Sequence, residues 1–424
     1  MLRESADLLR RERDYRRVFV AALVSNGGDW FVVVPLITYL VRITGHGVWS
    51  GLVLAVDTLT IAILSPYAGG TVDRHDRRRI ILASELVSAA GCGVLWLVHS
   101  PGTAWVALVA VATIAAAKAF GQPAETAALP NLVGPVDLPV AAVLSGTAWG
   151  TMSAAGAALG GLLASLTTPR WCFAVDLASF LVSAALIARV TRPFQSVLLD
   201  TDATPRSTVR ANLSATLQYC RAHPRTGMLL LVKNGVGLGN GIFALFPLLA
   251  ASAYGLRPGQ VAVATGLFFA ARGTGVLIGP MLLRRRGTDP RRRVSTLAIS
   301  MMTYGVAYAA VGWVQLLPLA LLLVVVAHIG GGANWTLSTY ALQDAVPDRL
   351  RGRVFSADIT ILTICLGTSQ TVAGVVSGVG DVRVIASCFA ALTFTYGCVW
   401  YAVTRRLHDD PPESHAPQSH EEGH

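Results

Sequence analysis

Among the side chains able to hold or pass charge inside long apolar stretches are Asp29, Asp57, Lys118, Lys233, Arg272 and His328. An ionisable group in hydrocarbon is costly unless paired or hydrated, so each is a candidate for carrying a proton, an ion or a polar solute. Lys118 and Lys233 are the only lysines in the chain. Arginine keeps its proton at any relevant pH, whereas a buried lysine holds or releases one according to its partner. Asp29, halfway along its apolar run between Gly28 and Trp30, has two readings. It can exchange a proton for a cationic solute, or it can be a structural carboxylate satisfied by backbone or by Lys118. Asp57 has the same two readings, and Arg272 is expected to pair with a carboxylate. His328 precedes Gly330-Gly331-Gly332, where a helix is expected to bend. Imidazole titrates near neutrality, so His328 is either a coupling group or a satisfied hydrogen-bonding residue. The proton-coupling candidates are therefore Asp29, Asp57, Lys118 and His328.

The elements that must position these groups are membrane-spanning helices. The 424 residues are 53% hydrophobic and 14% charged, with a mean hydropathy of +0.55. The apolar residues fall in blocks of about 20, the length that crosses the hydrocarbon of a bilayer. Without β-barrel alternation, only helices satisfy the backbone there. Twelve crossings are expected, near 18–42, 49–71, 80–99, 104–127, 140–166 and 172–191, then 227–251, 260–283, 294–314, 317–342, 355–378 and 382–404. The chain accordingly divides into an N-terminal arm (1–17), a six-helix bundle (18–191), a polar central loop (192–226), a second six-helix bundle (227–404) and a proline-rich charged tail (405–424), read as disordered. The arm reads as solvated, with an amphipathic helix on anionic lipid as the alternative. The four histidines of the tail (His408, His415, His420 and His424) offer no preformed metal site. Neither a metal site nor a cofactor is expected.

A net charge of +10 would suggest nucleic acid in a soluble protein. Here placement argues otherwise. All but five of the 32 arginines fall in the segments 3–17, 74–79, 189–225, 284–293, 349–353 and 405–406. Arg42, Arg170, Arg257 and Arg383 fall on the other side of the expected crossings, and Arg272 lies within one. This is the positive-inside asymmetry, with both termini cytoplasmic, in a multi-pass protein of the plasma (inner) membrane. The six cysteines are scattered with no C-x-x-C pair, which excludes a disulfide framework or zinc site. No cleavable signal peptide is visible in the arginine-rich start.

The halves repeat at a lag of about 212–215 residues. Phe31, Pro35 and Leu36 answer Phe243, Pro247 and Leu248; Gly51-Leu52 answers Gly266-Leu267; and LPNLVGPVDL at 129–138 answers LQDAVPDRLR at 342–351. Internal duplication is how many transporter folds are assembled, with the substrate site between the repeats.

The loop GGTVDRHDRRR between the second and third crossings has the spacing Gly69-x-x-x-Asp73-Arg74-x-x-Arg77-Arg78. It resembles the loop between helices 2 and 3 of the major facilitator superfamily, with Asp76 where the family pattern has a second glycine. Asn26-Gly27-Gly28-Asp29-Trp30, Phe173-Ala174-Val175-Asp176 and Val346-Pro347-Asp348-Arg349-Leu350-Arg351-Gly352-Arg353-Val354 make the chain similar, over nearly its whole length, to the enterobactin-exporter-like and macrolide-efflux-like branch. Gly156-Ala157-Ala158-Leu159-Gly160-Gly161 keeps the glycines of the antiporter motif, with alanine for its proline.

The resemblance implies an all-α polytopic fold of twelve transmembrane helices in two pseudo-symmetric bundles. It places helices 1, 4, 7 and 10 around a central cavity, which picks out Asn26, Asp29, Trp30, Lys118, Lys233, Asn234, Asn240, His328, Asn334 and Trp335. It also implies a cytoplasmic gate of Gly69, Asp73, Arg74, Arg77 and Arg78, with Arg77 or Arg78 meeting Asp358 in the outward-open state. Gly156, Gly160 and Gly161 are expected to pack helices 5 and 8 closely.

The function expected is secondary active transport by alternating access: a proton-coupled exporter of amphipathic small molecules, such as a drug, a siderophore or a natural product. An importer or facilitator of the same fold, or a non-transporting sensor, is the alternative, since fold does not fix direction. No G-x-x-x-x-G-K-S/T occurs, which argues against an ATP motor within the chain. No clustered nucleophile–base set supports an enzyme. The expected partners are the substrate, protons and the lipid bilayer, with no nucleic acid, and the expected unit is the monomer.

Overall fold

A computed structural model describes residues 2–134, 136–195, 209–287, 290–346 and 348–408. The N-terminal half contains α1 (Leu2–Arg11), α2 (Arg13–Thr44), α3 (Val48–Arg74), α4 (Arg77–Val94), α5 (Ala104–Leu132), α6 (Leu138–Leu166) and α7 (Pro169–Ala188). The C-terminal half contains α8 (Val209–Ala222), α9 (Pro224–Gly239), α10 (Ile242–Ala253), α11 (Pro258–Gly287), α12 (Pro290–Val311), α13 (Leu317–Ala345), α14 (Asp348–Val376) and α15 (Val382–His408). Among the described residues eleven stretches are long and apolar enough to cross a membrane, α9 and α10 together forming one, Pro224–Ala253. The expected fifth crossing is α6, a 29-residue helix rich in glycine, alanine, serine and threonine that lies between α2 and α11. Its small side chains carry less apolar surface because they pack against helices rather than lipid.

Glycine and alanine set how closely these helices approach. A Cβ on Gly156 or Gly160 would strike the backbone of α2 at Gly27 or Phe31, and one on Gly161 would strike Ala262 of α11. Only Gly161 serves the expected contact between the fifth and eighth crossings. Gly156 and Gly160 pack within the N-terminal half, and Ala154 and Ala157 complete the α6–α11 seam against Gly273 and Gly266. The triple glycine of α13 does not interrupt its helix, which runs unbroken from Leu317 to Ala345. Gly330 instead lies against Ser300 of α12 and Gly332 against Val276 of α11. The interruption falls in the seventh crossing, between Gly239 and Ile242, where Gly241 N–H donates to Ser369 Oγ at 2.9 Å.

The terminal face, which carries α1 and the end of α15, differs from the opposite face. On the far side one apolar cluster runs through both halves, from Leu36, Leu40 and Phe173 to Phe246, Phe268 and Tyr308. Toward the terminal face it divides in two. One cluster is held by the N-terminal half around Tyr15, Ile81, Leu132 and Ile187, the other by the C-terminal half around Leu230, Leu297, Leu342 and Trp400. The apolar core is thus shared between the halves on the far side and divided between them on the terminal side.

The polar connections are partly structured. Where a solvated arm was expected, α1 docks with Leu8 buried and Arg11 ion-paired to Asp137. In the central loop α8 packs on α14 and α9; residues 196–208 of that loop, and the tail from 409 with the histidines His415, His420 and His424, lie outside the described residues.

Candidate functional site

Asp76 opens α4 as its N-cap: its Oδ1 accepts from Arg78 N–H at 2.8 Å and Arg79 N–H at 3.4 Å. A carboxylate there satisfies orphan helix donors that a glycine would leave to water. The arginines that follow bind the N-terminal half itself. Arg77 donates to the Ala127 carbonyl of α5 at 2.7 Å and Arg78 to that of Ala188 in α7. The contact of Arg77 or Arg78 with Asp358, expected for the outward-open state and broken on inward opening, is absent in this form. Asp358 is buried in the C-terminal half and paired to Lys233. Arg74 is exposed, and the side chains of Gly69 and Asp73 lie outside those described.

The N-terminal half encloses a cavity of about 310 Å³ whose lining includes Asn26, Asp29, Asp57, Lys118, Gln122 and Asp176. Lys118, from α5, forms an ion pair with Asp29 of α2 and lies 5.8 Å from the ring centre of Phe180. Asp176 accepts from Cys92 Sγ at 2.9 Å and Ser179 Oγ at 3.2 Å. Its approach to α2 depends on Gly28, where a Cβ would overlap Asp176 Oδ1 and Ser179 Oγ. A second cavity continues from Asn26 toward Tyr15 and is lined by α2, α5 and α6, with Glu125 in its wall. Nearby, buried Glu85 accepts from Ser25 Oγ at 3.2 Å. Glu85, Glu125 and the placement of Asp176 beside Asp29 are additions to the expected set. Glu125 follows Lys118 by seven residues, two helical turns along one face, and that spacing is visible in the sequence.

Across the cleft the C-terminal half forms a recess of about 460 Å³, lined among others by Lys233, Asn240, Arg272, His328, Asn334 and Trp335. Trp149 of α6 borders this recess and both N-terminal cavities. Lys233 combines its ion pair to Asp358 with a place 5.2 Å from the Trp335 ring centre. His328 Nε2 lies 2.9 Å from the Tyr308 hydroxyl, a hydrogen bond that satisfies the imidazole. Asn234 does not join the lining; it is buried, and its backbone carbonyl faces Cys365. Arg272 has no carboxylate partner among the described residues, contrary to expectation. Its guanidinium carbon lies 5.1 Å from the ring centres of both Trp30 and Phe243.

This arrangement can bind a flat amphiphile between charged walls. Aromatic rings supply apolar contact area, and a few convergent polar groups supply orientation. A proton arriving at Asp29 would release Lys118, and a cationic solute would compete for the same carboxylate. No group of three or more His, Cys, Asp or Glu able to hold a metal occurs among the described residues.

A family model described as Major Facilitator Superfamily matches residues 19–367, and again 235–422. Macrolide efflux protein A of Streptococcus pyogenes is 24% identical over 336 residues, covering 78% of this chain and 81% of that protein. The multidrug efflux pump Tap of Mycolicibacterium fortuitum is 24% identical over 368 residues, covering 80% and 82%. Among solved structures, a bacterial homolog of the human lysosomal transporter Spinster, in an inward-facing and occupied conformation, aligns with a TM-score of 0.73 at 14% identity, covering 95% of this chain and 99% of that one.

Proposed function

The chain belongs to the Major Facilitator Superfamily, and from that premise we propose that it exports amphipathic small molecules of the drug class from the cell in exchange for protons. The observation that carries the reading is the division of the core: continuous between the halves on the far face and split on the terminal face, toward which the cavity holding Glu125 extends from Asn26. With the arginine-rich terminal face toward the cytoplasm, this is the form that loads cargo from inside. The relatives named for macrolide and multidrug efflux support export over uptake.

In this reading the Asp29–Lys118 pair is the exchange point. Cargo bearing a cation displaces Lys118 from Asp29 while the cavity faces inward. The halves then rock about the α6–α11 and α3–α14 seams, and a proton entering from outside reloads Asp29 as cargo leaves. Proton and cargo exclude one another from one carboxylate wall, so neither moves without the other. In this reading the monomer is the transporting unit, in the cell membrane with both termini inside, and the lining of each cavity by this one chain supports it.

Everted membrane vesicles test this. On imposing an inside-acid gradient they should accumulate a labelled macrolide, and adding the macrolide should collapse the gradient. Accumulation only in right-side-out vesicles would make the protein an importer. Accumulation unaffected by abolishing the gradient would remove the proton from the mechanism.

A further inference from the structure

Arg272 sits in the middle of α11 and faces the C-terminal recess without a counter-charge. The other cation of that recess, Lys233, is neutralised by Asp358, and no aspartate or glutamate lines the recess among the described residues. The Arg272 Nε is buried without a hydrogen-bond partner. Trp30 and Phe243 meet the guanidinium through their rings, which stabilises the charge but uses none of its five N–H donors in a directed hydrogen bond. An arginine in a span is ordinarily paired, because an unpaired one is expensive. Here the pairing partner is absent and the space beside it is a cavity large enough for a drug-sized ligand.

We propose that this recess binds the anionic group of the cargo, a carboxylate, phenolate or sulfonate carried on a flat aromatic frame, with Arg272 as its counter-ion and Trp335 beside its rings. A guanidinium fork matches a carboxylate through two parallel hydrogen bonds, which an ammonium cannot do. Asn240 and Asn334 add uncharged polar lining, and the rings of Trp149 and Trp335 supply the stacking surface, while Trp30 and Phe243 back the guanidinium. Trp30 belongs to the N-terminal half and Arg272 to the C-terminal half. An anion seated on Arg272 therefore sits at a contact between the halves and can bias how they rock. With Asp29 and Asp57 on the opposite wall, the cargo best suited to the whole cleft is amphoteric, its acid toward α11 and its amine toward α2. The inference rests on the central cavity being the cargo site.

Equilibrium dialysis of the full chain in lipid nanodiscs, without any gradient, tests it with three matched probes: 2-naphthoate, its neutral isostere 2-naphthamide, and 2-naphthylmethylammonium. The wild type should bind the naphthoate at least about tenfold tighter than the amide. Arg272→Gln should bring the two within about threefold, with the amide itself changed little, and Arg272→Lys should restore part of the preference. Should Arg272→Gln fail to fold, Thr336→Glu, at an exposed position lining the same recess, should erase the preference by placing a like charge beside the anion. A wild type with no preference for naphthoate, or a preference that survives Arg272→Gln or Thr336→Glu, overturns the inference. Because binding is read without transport, such a failure leaves the vesicle result standing. A failed export assay with the anion preference intact would instead sink the exporter reading.

Discussion

Each half buries one lysine against one aspartate, yet the two pairs have opposite surroundings. Lys118 and Asp29 line an open cavity, with Asp57 and Asp176 in the same wall and Glu85 and Glu125 close by. Lys233 and Asp358 join α9 to α14 at the edge of the C-terminal recess and are more deeply buried, their side chains 4% and 1% exposed against 16% for each member of the first pair. The uncompensated charge beside them is a cation, Arg272. Nor are the pairs equivalent by the repeat, since 118 and 233 lie 115 residues apart and not about 213. The duplicated scaffold has been loaded differently: an acidic, hydrated wall suited to exchanging protons and cations, and a basic, ring-lined wall suited to holding cargo. The first pair can be separated by what enters the cavity. The second is the more deeply buried, with Asp358 outside the recess lining.

The largest expected effect follows directly. Neutralising both members of the first pair, Asp29→Asn with Lys118→Met, should leave a folded protein, because removing a buried pair together costs little. It should nonetheless lower gradient-driven export by about 100-fold, which corresponds to roughly 2.7 kcal/mol. The same double neutralisation in the other half, Lys233→Met with Asp358→Asn, should keep export within about threefold. There the effect appears in the single variants: either one alone strands a buried charge and should cost about 3–5 kcal/mol of stability, read by denaturant or thermal unfolding in lipid. The gate expected from the sequence says otherwise, since an Arg77 or Arg78 clasp on Asp358 would make the second double variant as inactive as the first. Equal loss in both halves would break the comparison and return Asp358 to the gate.

Much of this was legible before any coordinates. Blocks of about 20 apolar residues mark the crossings, and the arginine segments mark their ends, because length and charge are local properties of a chain in a bilayer. Lys118 and Asp29 stand out as charges in apolar runs, and the family resemblance, not their spacing, implied that they share one cavity; their pairing was one of two readings. Other features depend on which helices meet. Arg272 found rings from α2 and α10 where a carboxylate was expected, and no spacing rule connects residues 30, 243 and 272. Gly330–Gly332 read as a weak point, but bare backbone also lets α11 and α12 approach closely, and the helix continues through it unbroken. Asp76 departs from the family pattern for a reason that is local: an aspartate followed by a helix is a cap.

A finer cut through the C-terminal wall concerns His328, read from the sequence either as a coupling group or as a satisfied one. Its Nε2 lies within hydrogen-bonding distance of Tyr308, and aromatic rings from Phe243, Tyr304 and Tyr308 surround it at centroid distances of 5.3–5.8 Å. If the wall holds cargo and passes no protons, Tyr308→Phe removes one hydrogen bond and nothing more. The expected cost is about 1 kcal/mol of stability, with export and its pH profile unchanged. A coupling histidine would behave differently, because losing the hydroxyl alters how readily the ring takes a proton and so moves the pH at which export is half-maximal. The profile thus separates the two roles even where the stability change is too small to do so. A displaced profile in Tyr308→Phe would place proton handling in both halves and leave Arg272 alone to distinguish them.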